Sequence, residues 1–297
     1  MNNQMNISAI LFVYNGQETL KQCLDALMAA NINEVIVVND GSTDRTAEII
    51  DQYPVISITL NQNMGRVYAQ RCGAEAAKYD NLLIIGSRVI VPKDIIQKIK
   101  DINYSPLMAN IKDDKNKSDH DKLFYLIRKK IYKSYPQVDE RLYIDKDNFF
   151  TAPKGTTMIY LNKELYLECL SDGNRKDASD DTVLLKNITD KGVKILRHRE
   201  LNVEYIQRTN NANSWIFDRG KLWADHYLTF INRYSISYIL MAILFPVFVL
   251  AVSIYISESI SDFTVVIRKF PVLAFYFFAG TILTILQKTK RGINCIF

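Results

Sequence analysis

Residues 37–44 read Val37-Val38-Asn39-Asp40-Gly41-Ser42-Thr43-Asp44. An apolar run from Glu34 to Val38 stops at a polar turn of Asn, Asp, Gly and Ser, the pattern of a buried strand feeding a tight turn. The same pattern recurs on either side. Ile7 to Val13 is a near-continuous apolar strand ending at Tyr14-Asn15-Gly16. Val55 to Leu60 is a third strand, and Asn81 to Ile85 a fourth that ends at Gly86-Ser87-Arg88. Between them, Glu18 to Ala30 places Leu20, Cys23, Leu24, Leu27 and Met28 at helical spacing. Thr46 to Tyr53 reads as a helix, and Asn63-Met64-Gly65 opens another through Ala69, Ala74, Ala76 and Ala77. Apolar strands alternating with helices predict an α/β fold: a mostly parallel sheet with helices on both faces. In such sheets ligands gather beyond the carboxyl ends of the strands. Tyr14-Asn15, Asn39-Asp40 and Gly86-Ser87-Arg88 all fall there.

Composition narrows the function classes. The chain has 297 residues, 48% apolar and 23% charged, so it can bury a large core and global disorder is excluded. Its net charge of +5 lacks the dense basic runs of an electrostatic nucleic-acid binder, so no nucleic-acid partner is expected. It suits a phosphate-bearing ligand or an anionic lipid surface. Cys23, Cys72, Cys169 and Cys295 form no CxxC pair, which argues against a zinc cluster or a disulfide framework and for a reducing compartment. The stretch Met1 to Asn6 carries no basic and apolar leader pattern, so a secretory signal is not expected. Lys112 to Lys122 is a solvated loop by composition.

The apolar weight shifts toward the far end. Residues 236–256 contain no charge over 21 positions, about the 20 a helix needs to cross a bilayer. Residues 270–286 form a second uncharged run of 17. Together, 235–297 reads as a transmembrane helical hairpin. Arg219, Lys221 and Arg233 precede it and Lys288, Lys290 and Arg291 follow, against Arg268 and Lys269 in the connection, which puts both flanks and the N-terminal domain on the cytoplasmic side of the cell membrane. Residues 213–234 mix Trp215, Phe217, Trp223 and Tyr227 with Arg219, Lys221 and Arg233, the pattern of an amphipathic helix lying on headgroups. Residues 1–212 make up the remaining domain.

Four strings, in order, resemble the family 2 glycosyltransferases of the GT-A nucleotide-sugar fold, over roughly residues 7–230. They are Leu11-Phe12-Val13-Tyr14-Asn15, with Phe12 where the family has Pro; Val37 to Asp44, beside the family's D-D-G-S-T-D; Asn63-Met64-Gly65 with Ala69-Gln70-Arg71-Cys72-Gly73, beside N-x-G…A-R-N-x-G; and Ser179-Asp180-Asp181-Thr182-Val183-Leu184, beside E-D-x-x-L. The resemblance implies an inverting transferase. Its nucleotide-sugar would contact Tyr14, Asn15, Asp40, Gly41 and Ser42, then Asn63, Gly65 and Arg71, and finally Ser87 and Arg88. Tyr14 offers a ring for the base, and Asp40 an acceptor for base or ribose. Asp181, the second acid of the pair, would take the proton from the attacking hydroxyl, with Asp180 beside it. The same residues also suit plain structure: Asp40-Gly41-Ser42 makes a capped turn, Asp44 caps the next helix, and Ser179-Asp180-Asp181 caps a helix start.

The chain departs from the family at one decisive place. The family's D-x-D holds Mg²⁺ or Mn²⁺ against the diphosphate; here Gly86-Ser87-Arg88 stands in that position and neither acid is present. Three readings follow. Arg88 supplies a fixed cation for the leaving group, or the chain is a catalytically silent GT-A scaffold for a membrane glycosyltransferase complex, or Arg88 pairs with a carboxylate and takes no part. Gln70 replaces a frequent family Arg, with Arg71 or Arg66 as the compensating residue. Past Asp181, Arg208, Trp215 and Arg219 are the candidates for the acceptor or its diphosphate, and no Q-x-x-R-W string occurs. The expected reaction moves a sugar from a nucleotide donor to a hydroxyl of a polyprenyl-linked saccharide in surface-polysaccharide assembly. A homo-oligomer or a partner glycosyltransferase is compatible with the sequence.

Overall fold

The computed structural model describes residues 5–111, 141–149, 152–153, 155–171 and 180–206, together with positions 217, 220, 221 and 279. Contacts divide the chain into two units. The first, residues 1–113, 132–176 and 180–207, holds the nine strands found among the described residues; the second is residues 114–131, 177–179 and 208–297. Arg208, Trp215 and Arg219 lie outside the described residues, as do the interfacial stretch and both predicted spans except at positions 217, 220, 221 and 279. Among the described residues no helix is long and apolar enough to cross a membrane.

The first half follows the predicted alternation. Strand β1 (Ile7–Val13) leads to helix α1 (Leu20–Ala29), β2 (Glu34–Asn39), α2 (Thr46–Ile50), β3 (Ile56–Thr59), α3 (Arg66–Ala76) and β4 (Asn81–Gly86). The order β3-β2-β1-β4 is parallel throughout. Side chains alternate across the sheet. Ile7, Ala9, Leu11 and Val13 pack under Leu20, Leu24 and Leu27 of α1, whereas Ile10, Ile36 and Val38 join Val67 and Ala74 of α3 on the other face. Burial on both faces is why these strands read as unbroken apolar runs. Helix α3 sits close because Gly73 has no side chain: a Cβ there would come 2.5 Å from Ile10 and 3.0 Å from Val38.

The second half corrects the expectation of a mostly parallel sheet. Its elements are β5 (Val89–Ile90), α4 (Ile95–Ile102), β6 (Leu107–Ile111), β7 (Arg141–Ile144), β8 (Met158–Asn162), α5 (Lys163–Cys169), α6 (Asp180–Asp190) and β9 (Ile195–Tyr205). Strand β8 runs antiparallel to β4, β6 antiparallel to β8, and β9 parallel to β6 but antiparallel to β5 and β7. The sheet is therefore mixed, in the order β3-β2-β1-β4-β8-β6-β9-β5. Strand β9 is long enough to serve three partners along its eleven residues, and it bulges on the way. Arg197 faces Met108, yet Asn202 already faces Asn110, so extra residues are taken up around His198 to Leu201. Asn110 pins the bulge by donating to the His198 carbonyl at 2.9 Å, and Asn202 donates to the Arg199 carbonyl at 2.6 Å. Beyond the bend β9 delivers Tyr205 beside β5, at the carboxyl end of β4.

Candidate active site

Two strand-end turns build one wall of a cleft. After β1 the backbone turns through Asn15 with φ of 50°. The Asn15 N–H donates to the Ser42 hydroxyl at 3.0 Å, and the Asn15 Oδ1 accepts the Thr43 N–H at 2.9 Å. Gly16 N–H donates to the Thr46 Oγ1 at 2.8 Å, and Gln17 N–H to the Asp44 Oδ2 at 3.1 Å. Asn15, Ser42 and Asp44 therefore lace the turn after β1 to the turn after β2. Partial burial pushes the Asp44 carboxyl up, but hydrogen bonds from the Thr46 hydroxyl and from the Gln17 and Thr46 N–H groups outweigh it and hold the group below its ordinary value.

Asp40 does the next joining. It is 4% exposed, and its Oδ1 accepts the Met64 N–H at 2.7 Å while its Oδ2 accepts the Gly65 N–H at 3.0 Å. These are backbone donors at the entry to α3, where Gly65 takes φ of 96°. Gly41, at φ of 64°, lets the turn close on that segment: a Cβ there would lie 2.2 Å from the Gln62 carbonyl carbon. No side chain fits at 41 without moving backbone.

The opposite wall is the turn after β4. Gly86 N–H donates to the Thr157 carbonyl at 3.2 Å. The Ser87 carbonyl accepts from the Thr19 Oγ1 at 3.0 Å and the Cys23 Sγ at 3.3 Å, and the Arg88 carbonyl accepts from the Ile206 N–H at 2.8 Å. Burial pushes the Cys23 thiol up to about 12, against opposing effects of the Val89 backbone and the Arg88 charge. It is a neutral donor to Ser87. The Arg88 guanidinium carbon lies 4.8 Å from the centroid of the Tyr205 ring. Among the described residues no carboxylate forms an ion pair with it.

These walls enclose a cleft of about 380 Å³ at the carboxyl ends of β1, β2 and β4. That volume is within the ordinary range for small-ligand sites. Tyr14, Asp40, Asn63, Gly65, Ser87 and Arg88 line it, and so does Asp181 from the first turn of α6. Tyr14 is 46% exposed at the rim, a ring open to stacking. Asn15, Gly41 and Ser42 stand behind the lining in the laced turns. Asp180 is the first residue of α6; its side chain lies outside the described residues. Arg71 does not line the cleft. Its guanidinium donates to the Leu170 and Ser171 carbonyls at 3.5 and 3.3 Å, beyond α5. Helix phase explains this: Arg66 and Gln70, one turn apart, both face the cleft, and Arg71 is about 100° further round.

Among the lining residues that escape a reading of the sequence, three bear on the chemistry. Thr156 and Thr157 carry buried hydroxyl oxygens with no hydrogen-bond partner among the described residues. An unmatched buried hydroxyl costs about 1–3 kcal/mol. Buried Arg197 holds this segment in place by donating to the Gly155 carbonyl at 2.6 Å and to the Asn110 Oδ1 at 3.0 Å. Tyr205 is the third. A Gly-Thr-Thr string before an apolar strand signals a turn, and nothing local marks Tyr205.

The donor set at the turn after β4 differs from the paired acids of the family's D-x-D. The turn after β4 presents Gly, a Ser and a guanidinium, and both Asp40 oxygens hold α3. Among the described residues no three His, Cys, Asp or Glu side chains cluster as ligands.

The Glycosyl transferase family 2 model matches residues 8–158, and the chain belongs to that family. A stretch of 94 residues, 30% of the chain, is 33% identical to the poly-beta-1,6-N-acetyl-D-glucosamine synthase of Staphylococcus aureus strain COL. The match spans 23% of that relative, so the chain covers under a quarter of its length. The Staphylococcus epidermidis synthase is 28% identical over 112 residues, 35% of this chain and 27% of that one. The fold is similar to that of the mannosyltransferase PcManGT from Pyrobaculum calidifontis in complex with GDP-Man and Mn²⁺, with TM-score 0.64 at 13% identity over 96% of this chain and 89% of that one. It is also similar to S. aureus TarS 1-349 in complex with UDP, with TM-score 0.55 at 16% identity over 97% and 92%.

Proposed function

We propose that the chain transfers a sugar, with inversion, from a nucleotide-sugar to a hydroxyl of a lipid-linked saccharide at the cytoplasmic face of the cell membrane. The observation that carries this is the placing of Asp181, Tyr14 and Arg88 around one cleft. Binding of GDP-Man and UDP by structural neighbours, and the polysaccharide synthases among the relatives, support the donor and product classes. The uncharged runs at 236–256 and 270–286 support membrane attachment.

In this reading the base stacks on Tyr14 and the ribose lies against the Asp40 turn. The acceptor oxygen attacks the anomeric carbon as Asp181 takes its proton. The bond from that carbon to the donor phosphate breaks, and the electron pair leaves with the nucleoside diphosphate. Arg88, with Arg66 on α3, faces the charge that gathers there, in place of a metal ion. The Thr156 and Thr157 hydroxyls gain partners from the sugar. A saccharide hydroxyl needs a base, which is why Asp181 favours it over a lipid phosphate as acceptor.

The test is transfer from labelled UDP-, GDP- and dTDP-sugars to lipid-linked saccharide by the purified chain. Asp181→Asn should lower kcat by about 100- to 10,000-fold with donor binding retained. An Asn variant as active as the wild type contradicts the assignment. Absence of transfer from every donor would favour the scaffold reading.

A further inference from the structure

We infer that Tyr205 is a positioning residue that keeps the Arg88 guanidinium in the cleft without neutralising it. The inference rests on the reading of Arg88 as the cation facing the diphosphate. A long arginine side chain has many rotamers and must be ordered before it can hold a ligand charge well. A carboxylate would order it but cancel much of its field. An aromatic face orders it by the ring quadrupole and leaves the charge whole. The observed separation, 4.8 Å from guanidinium carbon to ring centroid, is inside the range where this attraction acts.

The backbone makes the pair a unit. Val89 pairs with Tyr205 in the antiparallel β5–β9 ladder, and Ile206 N–H donates to the Arg88 carbonyl at 2.8 Å. The ring therefore rides on β9 and the guanidinium on the turn that leads into its partner β5. Strand β9 bulges between Arg197 and Asn202 and then runs on to pair with β5. Both side chains line the cleft that Asp181 and Arg66 share.

The experiment is nucleoside diphosphate binding to the full chain in detergent, with EDTA present, using whichever of UDP, GDP or dTDP binds the wild type best. Tyr205→Phe keeps the ring and should bind within about twofold of wild type. Tyr205→Leu, and 3,4,5-trifluorophenylalanine placed at 205, should each weaken binding about fivefold. The fluorinated ring keeps shape and packing but loses the electron-rich face, so it reports the interaction even where the Leu variant folds poorly. Neither change should matter in an Arg88→Ala background. If Arg88→Ala weakens binding while the fluorinated ring does not, the positioning role of Tyr205 is overturned and the reading of Arg88 stands. If Arg88→Ala binds as the wild type does, or no diphosphate binds the wild type, the reading of Arg88 fails and the inference falls with it.

Discussion

The Oδ2 of Asp40 accepts the Gly65 N–H at 3.0 Å, so the acid of the turn after β2 fixes where α3 begins. That start sets the phase of the helix and hence which of its residues reach the cleft. Asp40→Asn replaces one of the two acceptors with a donor facing an N–H group. It should cost about 1.5–3 kcal/mol, read by chemical denaturation of the chain, and weaken donor binding together with stability. An unchanged midpoint would show that α3 is held by other means.

Asp44 links stability to pH. Its folded pKa is below the unfolded one, so its contribution is present above the unfolded value and is lost as pH falls through the folded value. Wild-type stability should drop as pH is lowered from about 5 through the range below 4. Asp44→Asn should be less stable than wild type at pH 7 and lose less on acidification. Parallel stability–pH curves for the two proteins would remove Asp44 from the linkage.

Cys23 is a buried neutral thiol that hydrogen-bonds the Ser87 carbonyl. With its pKa pushed up to about 12, the nucleophilic thiolate is scarce at pH 8. Iodoacetamide at pH 8 should leave Cys23 unmodified in the native chain and label it after denaturation, as read by peptide mass spectrometry. Rapid native labelling would mean that α1 opens away from the turn after β4.

Thr157→Val removes a buried hydroxyl that lacks a partner among the described residues. The variant should be as stable as wild type or up to about 1 kcal/mol more stable. It should also show a raised KM for the donor sugar. Loss of stability with an unchanged KM would assign the hydroxyl to the fold.

Much of this was legible from residues alone, for a physical reason. Strand β1 matches its expected span, Ile7 to Val13, because a parallel strand buried on both faces must be apolar at nearly every position. The Asn39-Asp40-Gly41-Ser42 turn was equally plain, since its φ values and short hydrogen bonds demand those residue types. Asp181 emerged through the resemblance, because an acid at a helix start is common in any fold. The choice between Arg66 and Arg71 depended on helix phase, which the Asp40 bonds to Met64 and Gly65 set from 24 and 25 residues away. Strand β9, Ile-Leu-Arg-His-Arg-Glu-Leu-Asn-Val-Glu-Tyr, hides its period behind a bulge of exposed charged residues. With β9 hidden, the mixed half of the sheet and the place of Tyr205 were hidden too.

The most direct measurement is sugar transfer by the metal-stripped wild-type chain in EDTA beside the Arg88→Ala variant. A fixed guanidinium at the diphosphate predicts that EDTA leaves wild-type kcat/KM within about twofold, while Arg88→Ala loses about 100-fold or more. Wild-type activity that vanishes in EDTA and returns with Mg²⁺ or Mn²⁺, with Arg88→Ala unaffected, would contradict it.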